Sequence, residues 1–176
     1  DPMRAFRYFT LLLCLLAPSA FADALYQIEV IVFRQAGQPV VASQPAPDDW
    51  AAGAQSITGN ERGIALEDIA AKLNPGSGYQ VLLHKAWAQT LGAVPGKSAL
   101  STGNEQFGHY PVEGTIALTL LERLVDIDAD IWVNQFDADA LLTGSERLKQ
   151  RSRLKNNELT YLDHGSLGML VKVTPQ

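Results

Sequence analysis

Leu25 to Arg34 reads LYQIEVIVFR, and its period-two alternation constrains the fold more than any other stretch of the chain. On an extended backbone Tyr26, Ile28, Val30 and Val32 fall on one side, and Gln27, Glu29, Ile31 and Phe33 on the other. The residue types are β-branched and aromatic, so the segment predicts a central strand. Runs of the same kind follow. Residues 79–89 place Tyr79, Val81, Leu83, Lys85 and Trp87 on one face, and residues 114–120 align Ile116, Leu118 and Leu120. Val125, Ile127, Ala129, Ile131 and Val133 continue in the opposite phase, so a turn or bulge near 121–124 must absorb one residue. Residues 147–155, 158–162 and 169–173 supply further strands, with Asn156-Asn157 and 165–168 as turns. Leu66, Ile69, Ala70 and Leu73 fall at i, i+3, i+4 and i+7 before Asn74-Pro75-Gly76, which predicts one amphipathic helix over about 64–73. The Pro-rich stretch 35–60 is expected to be a flexible surface loop, and 91–113 another loop. The expected fold class is α+β: an antiparallel sheet with one main amphipathic helix packed on one face.

The N-terminus bounds the compartment. Asp1 and Pro2 precede Met3 and are set aside as an expression remnant. Arg4 and Arg7, the apolar run from Phe9 to Ala17 and the small-x-small site Ala20-Phe21-Ala22 predict a signal peptide over 3–22, leaving a single domain over 23–176. The apolar run is well short of the ~20 residues that span a bilayer. No membrane span is expected after cleavage. Cys14 is the only cysteine and leaves with the leader, so the exported domain is expected to carry neither disulfide nor thiol chemistry. The whole chain has a formal charge of −5, and losing Arg4 and Arg7 makes the remainder more acidic. A sequence-independent grip on nucleic acid is therefore not expected.

Three groups of residues are candidates for chemistry. Asp126, Asp128 and Asp130 share one face of a predicted strand, and Arg147, Lys149, Arg151, Arg153 and Lys155 share one face of the next. They read either as a ladder of cross-strand ion pairs or as a row whose surplus cations hold carboxylates of a ligand or acidic partner. Asp163-His164 suggests the acid and base of a hydrolase, but neighbours on an extended chain point to opposite faces and no nucleophile motif accompanies them. His84, His109 and His164 are too dispersed for a zinc spacing, so neither metal nor cofactor is expected. Trp87, Trp132, Tyr110 and Tyr161 are the aromatics able to offer flat faces to sugar rings, with Trp87 and Tyr161 taken as binding candidates.

The stretches Tyr26-Gln27-Ile28-Glu29-Val30-Ile31-Val32-Phe33-Arg34, Gly78 to Gln89 (GYQVLLHKAWAQ), Gly114-Thr115-Ile116 and Glu158-Leu159-Thr160-Tyr161-Leu162-Asp163-His164 followed by Gly168 together resemble the CsiV-type periplasmic peptidoglycan-binding proteins. The resemblance runs along nearly the whole exported chain. Two departures stand out: Gly165 occupies the place of a proline after the histidine, and the stretch between first strand and helix is short. The resemblance implies a non-enzymatic periplasmic protein that binds peptidoglycan. It further implies support of cell-wall synthesis and cell shape through an outer-membrane lipoprotein activator of a bifunctional penicillin-binding protein. Two alternatives stay open: a cell-wall hydrolase using Asp163 and His164, and a structural envelope protein without glycan contact.

Overall fold

In the computed structural model, which describes residues 22–176, the alternating segment is strand β1 (Ala24–Arg34) and it is central. It pairs antiparallel with β3 (Gln80–Leu91) on one side and β9 (Leu167–Pro175) on the other, and β8 (Thr160–His164) closes the sheet beyond β9 in the order β3-β1-β9-β8. A second sheet has the order β2 (Gln55–Ser56), β4 (Gly96–Thr102), β5 (Val112–Leu121), β6 (Leu124–Phe136), β7 (Leu142–Lys155). All its pairings are antiparallel except the two-residue β2–β4 contact. The expected leader falls, apart from Ala22, outside the described residues.

The expected α+β architecture is overturned: what covers the first sheet is a second sheet, and the fold is a β-sandwich. The only α-helix among the described residues, α1 (Glu67–Lys72), is six residues long and buries none of them. Tyr26, Ile28, Val30 and Val32 from β1 join Leu167, Met169, Val171 and Val173 from β9 to face Ile116, Leu118, Ile127, Ile131 and Leu148 across one shared core. That core needs no helix, because each sheet offers an inward row of the other's apolar period. The helical spacing at Leu66, Ile69, Ala70 and Leu73 is real, but those side chains are only half-buried.

The strand phase slip resolves as a tight turn: Leu121 pairs with Leu124, and Glu122 takes φ +57° between them. The expected loop 91–113 contains β4, so that part of the reading is corrected. Residues 35–54 run irregularly but are tied down. The Ala42 N–H donates to Ser145 O at 2.9 Å and the Arg147 N–H to Val40 O at 3.0 Å. These bonds cover the free edge of β7, which would otherwise template pairing with another chain. Arg34, last residue of β1, reaches across to β7 and donates twice to Glu146 at 2.8 Å, joining the two sheets.

Candidate functional site

The predicted carboxylate and cation rows meet as expected on the outer face of the second sheet. Register places Asp126 opposite Arg153, Asp128 opposite Arg151 and Asp130 opposite Lys149. The bonds combine direct and diagonal partners: Arg153 donates to Asp126 at 2.9 Å, Arg151 to Asp128 at 3.1 Å, and Lys149 to the same Asp128 at 2.5 Å. Arg147 grips Asp130 with two nitrogens at 2.7 and 2.8 Å and lies 4.4 Å from the centre of the Trp132 ring. That arginine is occupied on edge and face. Lys155, opposite Leu124, meets no carboxylate among the described residues.

Charge on the row follows from this geometry. Burial would raise the Asp128 carboxyl, but Lys149 and Arg151 outweigh it and hold it below the ordinary carboxylate range. The Asp130 hydrogen bonds raise Arg147, and those of Asp126 raise Arg153. Three carboxylates are thus shared among four cations, with a fifth unpaired, and a positive surplus remains. Arg151 and Arg153 border a groove of about 590 Å³, lined also by their partners Asp126 and Asp128, by Ala117 and Thr119 of β5 and by Pro95.

The aromatic candidates separate. Trp87 is corrected: on β3 opposite Ile28 it points into the core, is 1% exposed, and spends its Nε1 donor on Gln89 at 2.9 Å, so it has no face to offer. Tyr161 is exposed, stacked on Phe33 at 6.0 Å, and donates its hydroxyl to Gln35. Burial raises its phenol above the usual range, the Gln35 contact pulling the other way. Gly168 permits this stack, since a Cβ there would lie 2.7 Å from the Phe33 ring. Trp132 is buried beneath Arg147, and Tyr110 is half-buried edge-on to Trp50.

Asp163 and His164 point apart, as their adjacency predicts. Asp163 accepts from Gln35 Nε2 at 2.8 Å, while His164 Nδ1 lies 3.2 Å from Gln150 Oε1. Neither touches the other or a nucleophile. The next residue, Gly165, turns the β8–β9 hairpin at φ +63°, a value closed to proline.

Sequence reasoning missed two carboxylate–histidine clusters, each built on a buried glutamate. His109, 4% exposed, is held between Glu113 at 2.6 Å on Nδ1 and Asp48 at 2.9 Å on Nε2, and Glu113 also accepts from the Tyr110 N–H. Burial opposes a charge on the ring, but the hydrogen bonds and charges of both carboxylates outweigh it and raise His109 above its ordinary value. The i, i+4 spacing of His109 and Glu113 was the available signal. In the second cluster Glu29, 4% exposed on β1, meets His84 Nε2 at 2.6 Å and accepts the N–H groups of Ala65 and Leu66 at 2.8 and 2.9 Å. Among the described residues no group of three His, Cys, Asp or Glu side chains is spaced to hold a metal ion, and no helix is long and apolar enough to cross a membrane.

The family model described as peptidoglycan-binding protein, CsiV, matches residues 6–64 and 55–176. No curated protein and no solved structure matches the chain.

Proposed function

Since the chain belongs to the CsiV family of peptidoglycan-binding proteins, we propose that it binds peptidoglycan through the arginine-lined groove on the outer face of its second sheet. The observation that carries this reading is the unequal ladder: Arg151 and Arg153 stand beside an open groove, Arg151 sharing Asp128 with Lys149 and Arg153 bonded to Asp126. Such guanidinium groups suit the free carboxylates of stem peptides, which they can grip with two parallel N–H bonds. Tyr161, exposed on the other sheet, stands apart from this groove and enters the reading only as a separate aromatic contact. On the same reading the protein is periplasmic and non-catalytic, and it supports cell-wall synthesis and cell shape by acting with an outer-membrane lipoprotein activator of a bifunctional penicillin-binding protein. The separation of Asp163 from His164 supports the non-catalytic part.

Co-sedimentation of the domain with purified sacculi tests it, with Arg151→Glu/Arg153→Glu alongside and circular dichroism as the check on folding. The parent is expected in the pellet. The double reversal should weaken binding by about tenfold or more, because two charge-assisted contacts become repulsive. Binding should also fall with salt, since exposed charges are screened beyond ~8 Å at physiological ionic strength. Release of soluble fragments would instead favour a hydrolase using Asp163 and His164, and a protein that neither pellets nor cuts would be a structural envelope component. Pull-down from envelope extract tests the lipoprotein partner.

A further inference from the structure

A second concavity lies on the other side of the molecule's charge balance. Where the edge strand β3 of the first sheet approaches β2 and β4 of the second, a cleft of about 500 Å³ opens between the sheets. Although the chain as a whole is acidic, none of the residues lining this cleft is Asp or Glu, and two are cations, Arg62 and Lys97. Among the described residues neither cation meets a carboxylate: Arg62 Nη1 donates only to the backbone carbonyls of Asn60 at 3.2 Å and Glu61 at 2.9 Å. This is the reverse of the outer-face ladder, where cations are mostly satisfied.

The floor is preorganised. Gln89 Oε1 accepts from Trp87 Nε1 and Ser98 Oγ, both at 2.9 Å, while its Nε2 donates to Gly96 O at 3.1 Å, so one amide locks β3 to β4. The exposed amide of Gln55 stands on β2 beside it, next to Ser56, whose hydroxyl is held by Thr58, and exposed Leu25 gives an apolar wall. Size, rigid strands, an apolar wall and convergent polar groups are the attributes of a small-ligand site. We propose that this cleft is a saccharide subsite that takes a short segment of the peptidoglycan glycan strand. A sugar face lies against Leu25, hydroxyl and acetamido oxygens accept from Arg62 and Lys97, and the Gln55 amide completes the bonds. The inference rests on the peptidoglycan reading and divides the ligand between two places: peptide carboxylates at the arginine groove, sugar at the cleft.

The probe is peptide-free glycan strands made by amidase digestion of sacculi, with the lactyl carboxylates that the digestion frees capped as methylamides so that the strands carry no charge for the arginine groove, compared with intact sacculi. The parent should bind the stripped strands; Arg62→Ala/Lys97→Ala should weaken that binding by about tenfold, two charge-assisted hydrogen bonds being lost, whereas Arg151→Glu/Arg153→Glu should leave it unchanged. Gln55→Ala, an exposed change that spares every charge, gives a milder loss and serves if the double variant fails the circular dichroism check. A parent that pellets with intact sacculi but ignores stripped strands overturns the saccharide subsite and leaves the family reading intact. So does a folded cleft variant that binds stripped strands as the parent does. A parent that holds neither material removes the peptidoglycan reading itself, and the subsite with it.

Discussion

Glu29 on β1 and Asp128 on β6 each accept from basic side chains on an adjacent strand, yet one is sealed and the other is wet. The Glu29 carboxylate is consumed entirely by His84 and two backbone N–H groups, and it fixes the chain entering α1 against the first sheet. Asp128 serves Lys149 and Arg151 on an open face, its side chain 29% exposed. A buried, fully bonded charge is held in place because any lost partner leaves a desolvated group behind. An exposed one contributes little to folding, and its cations stay free to change partners. The charges inside the most recognisable sequence stretch, Glu29 and Arg34, are therefore architectural, and those in an unremarkable alternation are the ones available to a ligand.

The largest effect that this contrast predicts is at Glu29. Glu29→Ala strands His84 and the amides of Ala65 and Leu66 without partners, and should lower the unfolding free energy by about 3–5 kcal/mol. Glu29→Gln keeps an acceptor and should lose less. Urea denaturation followed by tryptophan fluorescence measures both. Equal midpoints for Glu29→Ala and Asp128→Ala would break the distinction between sealed and wet.

Legibility follows the same line. Strand alternation at 25–34, 114–120 and 125–133 located both the core rows and the exposed charge rows, since period two sorts residues by face without reference to partners. It did not reveal how many sheets those strands build. The apolar spacing from Leu66 to Leu73 fits a covering helix and a short half-buried one alike, and β4 hides because Pro95-Gly96 and the two serines of its strand resemble a loop. Composition cannot tell a core tryptophan such as Trp87 from a surface one. The His109 cluster is legible only in half: Glu113 stands four residues from the histidine, whereas Asp48 lies 61 residues away, in a segment with no period at all.

That cluster yields the intermediate effect. The folded pKa of His109 is raised above its ordinary value of 6.5, so the folded state binds the proton more tightly than the unfolded one. Its contribution to stability is fully present below 6.5 and is lost as pH rises through the folded value. The urea midpoint should therefore decline across that window, and His109→Gln should flatten the decline while leaving any acid-side loss in place. A midpoint unchanged through the window in the parent protein would put His109 among the ordinary surface histidines and leave Asp48 without a role in anchoring its loop.

The smallest stability change is expected on the ladder, where it carries the opposite sign for binding. Asp128 has its carboxyl depressed by Lys149 and Arg151, so its contribution is present above the ordinary carboxylate value and lost as pH falls through the lowered one. With the group partly exposed, screening limits that contribution to under about 1 kcal/mol. Asp128→Asn should thus barely move the urea midpoint at neutral pH. Its effect on the groove is different in kind: one carboxylate disappears and two cations, Lys149 and Arg151, lose their charged partner, which lines the groove beside Ala117. Sacculus binding should strengthen severalfold and become more salt-sensitive, because the freed cations have only the ligand left to pair with. Weaker binding in a folded Asp128→Asn variant would mean that the aspartate orients the guanidinium instead of competing for it, and the groove would then depend on the intact pair rather than on surplus charge.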